Sequence, residues 1–509
     1  MPQPGSDVAT GGLERRWAAW WRWEGMAVAL RRGTALAVLL LAGCVTVPPA
    51  EVPFKLPASF VAGDAGAGGA LPERWWEDFG DPRLNAFVEM ALVGNPGLAQ
   101  AAARARMAEA QARVRRADRL PEAGIGAGAT RQRQNLAGLP LPDGLPGTDD
   151  GGVITERYDV VLDVGWELDL WGRLAALSAS ARADYLASTE QLRALRQSVA
   201  AQVVQMYLEI VQARAQVELS GRTVESLEEM ARQITNRVDA GVASPADGAL
   251  ARANLESARA GLSQRREALE RALRQLEVAM GSYPAGALET ADSLPALPPP
   301  PRAGVPAELL ARRPDVRAAE LALLSAGYQL GAAQRSFLPS LSLSGSGGYS
   351  GSELSGLFSS GNLIWSIAGN ILQPVFQGGR LLAQVDIAGA QRDEALHAYA
   401  ETALNALAEV ETALAVERLL QAREQALGES ADAAEEAVRV SYNRYRQGID
   451  PFLNVLESQQ RALDGRSAHI AARHARLENR IALHLALGGG FEDGLPPPGR
   501  GSPPAGPAQ

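Results

Sequence analysis

The chain has 509 residues, 46% of them hydrophobic, and a formal net charge of −9. That length implies several domains or one large repeated one, and that charge makes a poor partner for nucleic acid. A single cysteine excludes a disulfide framework, and the four histidines (His397, His469, His474, His484) include no i, i+4 pair of the kind zinc-binding helices use.

The N-terminal 43 residues read as a targeting segment. Arg31 and Arg32 form a basic start, Thr34 to Ala42 a short apolar run, and Gly43 a small residue before the break. The run is too short to span a membrane. The sole cysteine follows in Leu41-Ala42-Gly43-Cys44, which resembles a bacterial lipobox. That resemblance implies cleavage before Cys44, a covalent lipid on its sulfur, and outer-membrane delivery, because position 45 is Val rather than Asp. A start at Met26 would give a more compact signal than Met1 does.

After a linker over 44–72 the chain is written twice. NPGLAQAAARARMAEAQARVRRADRLP (95–121) matches RPDVRAAELALLSAGYQLGAAQRSFLP (313–339), and NRVDAGVASPADG (236–248) matches NRYRQGIDPFLNV (443–455). Each copy predicts a helix of about 25 residues ending at Leu-Pro, where proline discourages continuation. A strand hairpin follows, at about 122–170 in the first copy and 339–377 in the second. The alternation Ser340-Leu341-Ser342-Leu343-Ser344 is the period of a half-buried strand. Then comes one very long helix, Arg173 to Gly241 and again Arg380 to Gly448, about 100 Å at 1.5 Å per residue. A returning helix of about 40 residues runs to Gly281 and to about Gly488. Two shorter helices laid end to end should therefore flank each long one. The repeats are placed at 73–285 and 306–491, joined by a Pro-rich linker (286–305) and followed by a disordered tail (492–509). No phosphate loop, nucleophile elbow or paired catalytic motif is present, so no enzyme activity and no cofactor is expected beyond the lipid on Cys44.

RWWEDFGDPRL (74–84), ALVGNPGL (91–98), WELDLWGR (166–173), LLARRPDVRAAE (309–320) and NRYRQG (443–448) occur here in one order and partly in duplicate. In these the chain resembles the TolC-like outer-membrane factors of tripartite efflux systems, nearest to the lipoprotein branch that works with resistance-nodulation-division pumps. The resemblance implies a mainly α fold with a β-barrel part: a homotrimer whose 12-stranded barrel, four strands per chain, continues as a periplasmic helical barrel. It implies a passive exit duct for drugs or other small molecules, served by a periplasmic adaptor and an inner-membrane pump. By the same resemblance Asp247, Tyr445, Asp450, Asn454 and Glu457 fall at the periplasmic gate, with Glu457 forming a threefold carboxylate ring. Asp450 stands where the family often has a base, and Asn454 where it often has an acid. Gly241, Val242, Gly448 and Ile449 would form the tips that meet the adaptor. A duct for metal ions or secreted proteins is the alternative, though no Met- or His-rich tract favours metal. A structural coiled-coil lipoprotein would have no use for the strand hairpins.

Overall fold

The computed structural model describes residues 54–62, 72, 74–135 and 152–489. The signal segment, Cys44 and the C-terminal tail lie outside the described residues.

A 3-10 turn, Trp75–Phe79, leads into α1 (Pro82–Gly94) and α2 (Pro96–Ala117). The strands β1 (Glu122–Asn135) and β2 (Gly152–Leu168) follow, then α3 (Arg173–Asp239) and α4 (Pro245–Ala279). The second half repeats this order with α5 (Pro306–Arg312), α6 (Pro314–Arg335), β3 (Ser340–Gly351), β4 (Leu363–Leu372), α7 (Arg380–Arg446) and α8 (Phe452–Ala486). The long helices α3 and α7 are each 67 residues, and their returning partners α4 and α8 are each 35. The second hairpin is shorter than 339–377, since β4 ends at Leu372 and residues 373–377 carry no strand.

Local chemistry sets the helix ends. The Asp169 carboxylate accepts hydrogen bonds from the Leu174 and Ala175 amides at 2.9 and 2.6 Å, satisfying first-turn donors of α3. Asn95 and Ser244 cap α2 and α4 through side-chain oxygens, each with proline at the next position.

The helices pack across the repeats as well as within them. The expected flanking holds, with α2 and α4 along α3, and α6 and α8 along α7; α6 and α8 also pack on α3. The Ser180 hydroxyl of α3 meets Ser325 of α6 at 2.9 Å, and Gln329 donates to Ser180 at 3.2 Å. The largest core lies partway along the long helices. There Trp75, Trp76, Phe79, Leu84 and Val88 bury against Val203, Leu208 and Ile210 of α3, Leu276 of α4 and Ile481 of α8. The Pro-rich segment is tied to the same place, where the buried Arg480 donates to the Pro298 carbonyl. RWWEDF and this segment therefore form a belt against the helices.

The four strands make one antiparallel sheet in the order β1-β2-β3-β4. The chain leaves the sheet into the helices at the ends marked by Glu122, Leu168, Ser340 and Leu372. The Gly241 and Gly448 turns lie at the far ends of α3 and α7.

Candidate functional site: a two-faced sheet and paired helical tips

The register divides the sheet into two faces. Val164 pairs with Gly345, which pairs with Ile367; Trp166 pairs with Leu343, which pairs with Gly369. With a period of two, one face carries Ile125, Leu162, Trp166, Leu343, Trp365, Ile367 and Ile371, all exposed large apolar side chains. The opposite face carries Asp159, Asp163, Glu167, Ser344, Ser346 and Ser366, with Ser346 and Ser366 hydroxyls 2.8 Å apart. From Leu168 to Tyr158 the apolar face of β2 runs ten residues. That is about 33 Å along the strand and about 25 Å of height at a barrel tilt near 40°, the height of an outer-membrane band. Trp166 and Tyr158 stand towards the two ends of that stretch, as interfacial aromatics do. Close packing is built in at Gly348, where a Cβ would fall 2.1 Å from the Val160 carbonyl oxygen. Among the described residues β1 and β4 are paired on one side only. An apolar sheet in lipid cannot leave such edges unpaired.

At the other end, the two hairpin turns are copies of one another. Gly241 (φ 71°) and Gly448 (φ 75°) both take the left-handed conformation. Val242 N–H donates to the Arg237 carbonyl at 2.8 Å and Ile449 N–H to the Arg444 carbonyl at 3.0 Å. Gly241 and Gly448 donate to Val238 and Tyr445, completing a Schellman cap in each. Val242 and Ile449, 63% and 57% exposed, lie at the tips.

The sequence-derived gate residues fall on or beside these turns. Tyr445 is buried, its ring 5.3 Å from Phe452, and the Arg237 guanidinium lies 5.2 Å from the ring centroid. Burial, followed by the negative charge of Asp247, raises the Tyr445 hydroxyl pKa above its ordinary value. Asp450 receives two hydrogen bonds from Arg444, at 2.6 and 3.1 Å, which hold its carboxyl below the usual range. Asp247 sits in the first turn of α4. Asn454 opens α8, its amide donating to the Pro451 carbonyl. Glu457 pairs with Arg461 one turn on at 3.4 Å, in a groove it shares with Asn254 and Ser257 of α4 and Gln460. The structure thus brings Tyr445 together with Asp247, and gives Asp450 and Glu457 separate arginine partners.

Two contacts were missed from sequence. Arg237 lies over Tyr445, and the Tyr442 hydroxyl binds Gln233. Both join the α3–α4 hairpin to the α7–α8 hairpin over a shared apolar cluster of Leu227, Ile234, Leu255, Phe452 and Val455. A signal for Arg237 was present, since the repeat aligns it with Arg444 in the two NR pairs. One of these arginines covers a ring and the other grips a carboxylate.

Known proteins share the sequence pattern and the fold over most of the chain. The sequence model of the family described as Outer membrane efflux protein matches residues 87–282 and 305–489. Outer membrane protein OprJ of Pseudomonas aeruginosa is 35% identical over 465 residues, 90% of this chain and 95% of that protein. The structure of the outer-membrane channel OprN superposes with a TM-score of 0.79 at 30% identity, covering 88% of this chain and 99% of that one. The open state of the Neisseria gonorrhoeae MtrE outer membrane channel gives 0.73 at 30% identity, covering 87% and 97%. On these grounds the chain belongs to the outer membrane efflux protein family.

Proposed function

We propose that three copies of this chain form the outer-membrane exit duct of a tripartite efflux system, through which drugs or other small molecules leave passively. The observation that carries this reading is the four-stranded sheet with one apolar face and two unpaired edges, continued directly into helices of 67 residues. Three such sheets joined edge to edge make a closed barrel of twelve strands with no free edge. The helices below extend the duct by about 100 Å. In this reading the protein acts as a conduit and not as an enzyme, in keeping with the efflux proteins it resembles. Its partners are a periplasmic adaptor, received at the Gly241–Val242 and Gly448–Ile449 tips, and an inner-membrane resistance-nodulation-division pump that supplies the substrate.

The gate is assigned to the tips. Asp247, Tyr445, Asp450, Asn454 and Glu457 cluster at the closed end, and Glu457 from three chains would form a ring that favours cations. The Arg237–Tyr445 and Tyr442–Gln233 contacts hold the two hairpins of one chain together, and opening separates them.

Cys44 is assigned as the lipid anchor. Phe54 packs against the apolar cluster that includes Leu310, Tyr399 and Ala403, and the amides of Val61 and Ala62 bind the Glu411 carboxylate at 2.7 and 2.9 Å. Tyr399, the first buried residue of α7 in that cluster, is nineteen helical residues and so about 28 Å from the sheet end of α7. The ten residues from Cys44 to Phe54 can span up to about 35 Å, enough to reach the membrane surface.

Deleting the chain's gene in its host tests the efflux reading. Cells without it should accumulate a fluorescent dye substrate and recover when the gene is restored. Unchanged dye accumulation across several unrelated dyes, with the matching pump present, would reject it.

A further inference from the structure

The overall charge of the chain is acidic, yet the last turn of α2 and the residues just after it read RVRRADR, with Arg113, Arg115, Arg116 and Arg119 within seven residues. Arg115 pairs with Asp118 at 3.3 Å. Among the described residues Arg113, Arg116 and Arg119 have no carboxylate partner, and all three are exposed. Arg113 and Arg116 are three apart, so they share one helix face. The exposed Leu120 follows in the turn, two residues before β1 begins at Glu122.

A second contact fixes the height of this cluster. Trp166 belongs to the apolar face of the sheet, near the end of β2, and its indole N–H donates to the Arg119 carbonyl at 3.0 Å. Tryptophan at the rim of an apolar band marks the headgroup level. Arg119 is therefore at that level, and Arg116 and Arg113 lie within about 10 Å below it, by helix rise. Arginine side chains of that reach extend to the phosphates while Leu120 dips towards the acyl chains. The second repeat lacks the feature: Gly331, Gln334 and Phe337 stand where the first has Arg113, Arg116 and Arg119. Since α2 and α6 are otherwise equivalent helices of 22 residues, the arginines are not required by the fold.

We infer that the end of α2 is a binding site for the phosphate headgroups of anionic phospholipids in the periplasmic leaflet of the outer membrane. It would provide three strongly basic patches around the trimer, alternating with the ends of α6, whose last turn holds a single arginine, Arg335. The occupant follows from charge complementarity and from continuity with the lipid-facing band of the sheet. The inference rests on the membrane-embedded reading of that sheet.

The test is native mass spectrometry of the full-length, detergent-extracted protein incubated with equal amounts of phosphatidylglycerol and phosphatidylethanolamine. Wild type should retain phosphatidylglycerol preferentially. Each arginine at a charged membrane surface contributes roughly fivefold, so R113Q/R116Q should lose about twenty-five-fold of that preference. R113K/R116K should keep most of it, which separates charge from folding. Equal retention of both lipids by wild type, or an unchanged preference in R113Q/R116Q, would overturn the inference. So would removal of the bound lipid by excess inorganic phosphate, which would mark a site for free phosphate. Protein that holds neither lipid and does not assemble would refute the membrane reading itself.

Discussion

The division of the sheet into a lipid face and a lumen face makes a sharp prediction at two adjacent residues. Ile367 pairs with Gly345, whose other neighbour is Val164, four residues from the helix end of β2 and six from Tyr158. Ile367 is 80% exposed and sits close to the middle of the apolar band. Ile367→Arg places a guanidinium at the bilayer midplane, at a cost of about 2–4 kcal/mol per chain. Summed over three chains that is roughly 6–12 kcal/mol, comparable with the whole stability of an ordinary domain. Ala368→Arg, one residue on, enters the polar face beside Ser344 and should cost about 1 kcal/mol or less. Denaturant titration of protein folded into lipid vesicles, followed by protease resistance, measures both. The expected result is loss of folded I367R with A368R near wild type. Equal effects, or the reverse order, would refute the assignment of faces and with it the barrel.

Other consequences can be tested the same way. If Arg237 over Tyr445 clasps the two hairpins, Arg237→Ala removes about 1 kcal/mol per chain and roughly 3 per trimer, raising the open fraction in bilayer recordings about a hundredfold. Tyr445→Phe keeps the ring and should stay closed, whereas Tyr445→Leu should open as Arg237→Ala does; closure in all three variants would remove the clasp from the gate. His484, stacked 5.1 Å from Trp75, is lowered to about 4 by burial and by the nearby Arg480. Its folded pKa is below the unfolded value near 6.5, so its neutral form supports stability fully above that pH. As pH falls from 6.5 to 4 about 3 kcal/mol should be lost, and His484→Phe should flatten this part of the urea-midpoint profile; an equal slope in the variant would exclude His484 as its source. Mass spectrometry of protein extracted from its host membrane should find Cys44 at the N-terminus carrying lipid, and an unmodified Cys44 behind an intact leader would end the anchor assignment.

Much of the fold was legible because its punctuation is local. Leu-Pro ends α2 and α6, glycine ends α3 and α7, and the equal spacing between them gives two helices of one length. The Ser-Leu alternation of β3 marks its two faces without reference to any partner strand. What the sequence hid depends on contacts between distant segments. Arg237 and Tyr445 are 208 positions apart, and only the packing of the two hairpins brings them together. The stack of Trp75 on His484 and the Ser180–Ser325 contact are hidden for the same reason. Asp450 was visible as a tip acid, but its grip by Arg444 requires the turn to fold back over six residues. The arginines of α2 were obscured differently, since net charge averages a basic turn into an acidic chain.

A transmembrane duct closed at its helical tips should conduct ions freely only when those tips part. Ion conductance of the purified protein in planar bilayers tests it most directly, with wild type compared against Glu457→Ala combined with Asp247→Ala. Wild type should show a small conductance that rises sharply in the double variant. Properly assembled protein that conducts in neither form would contradict the duct reading.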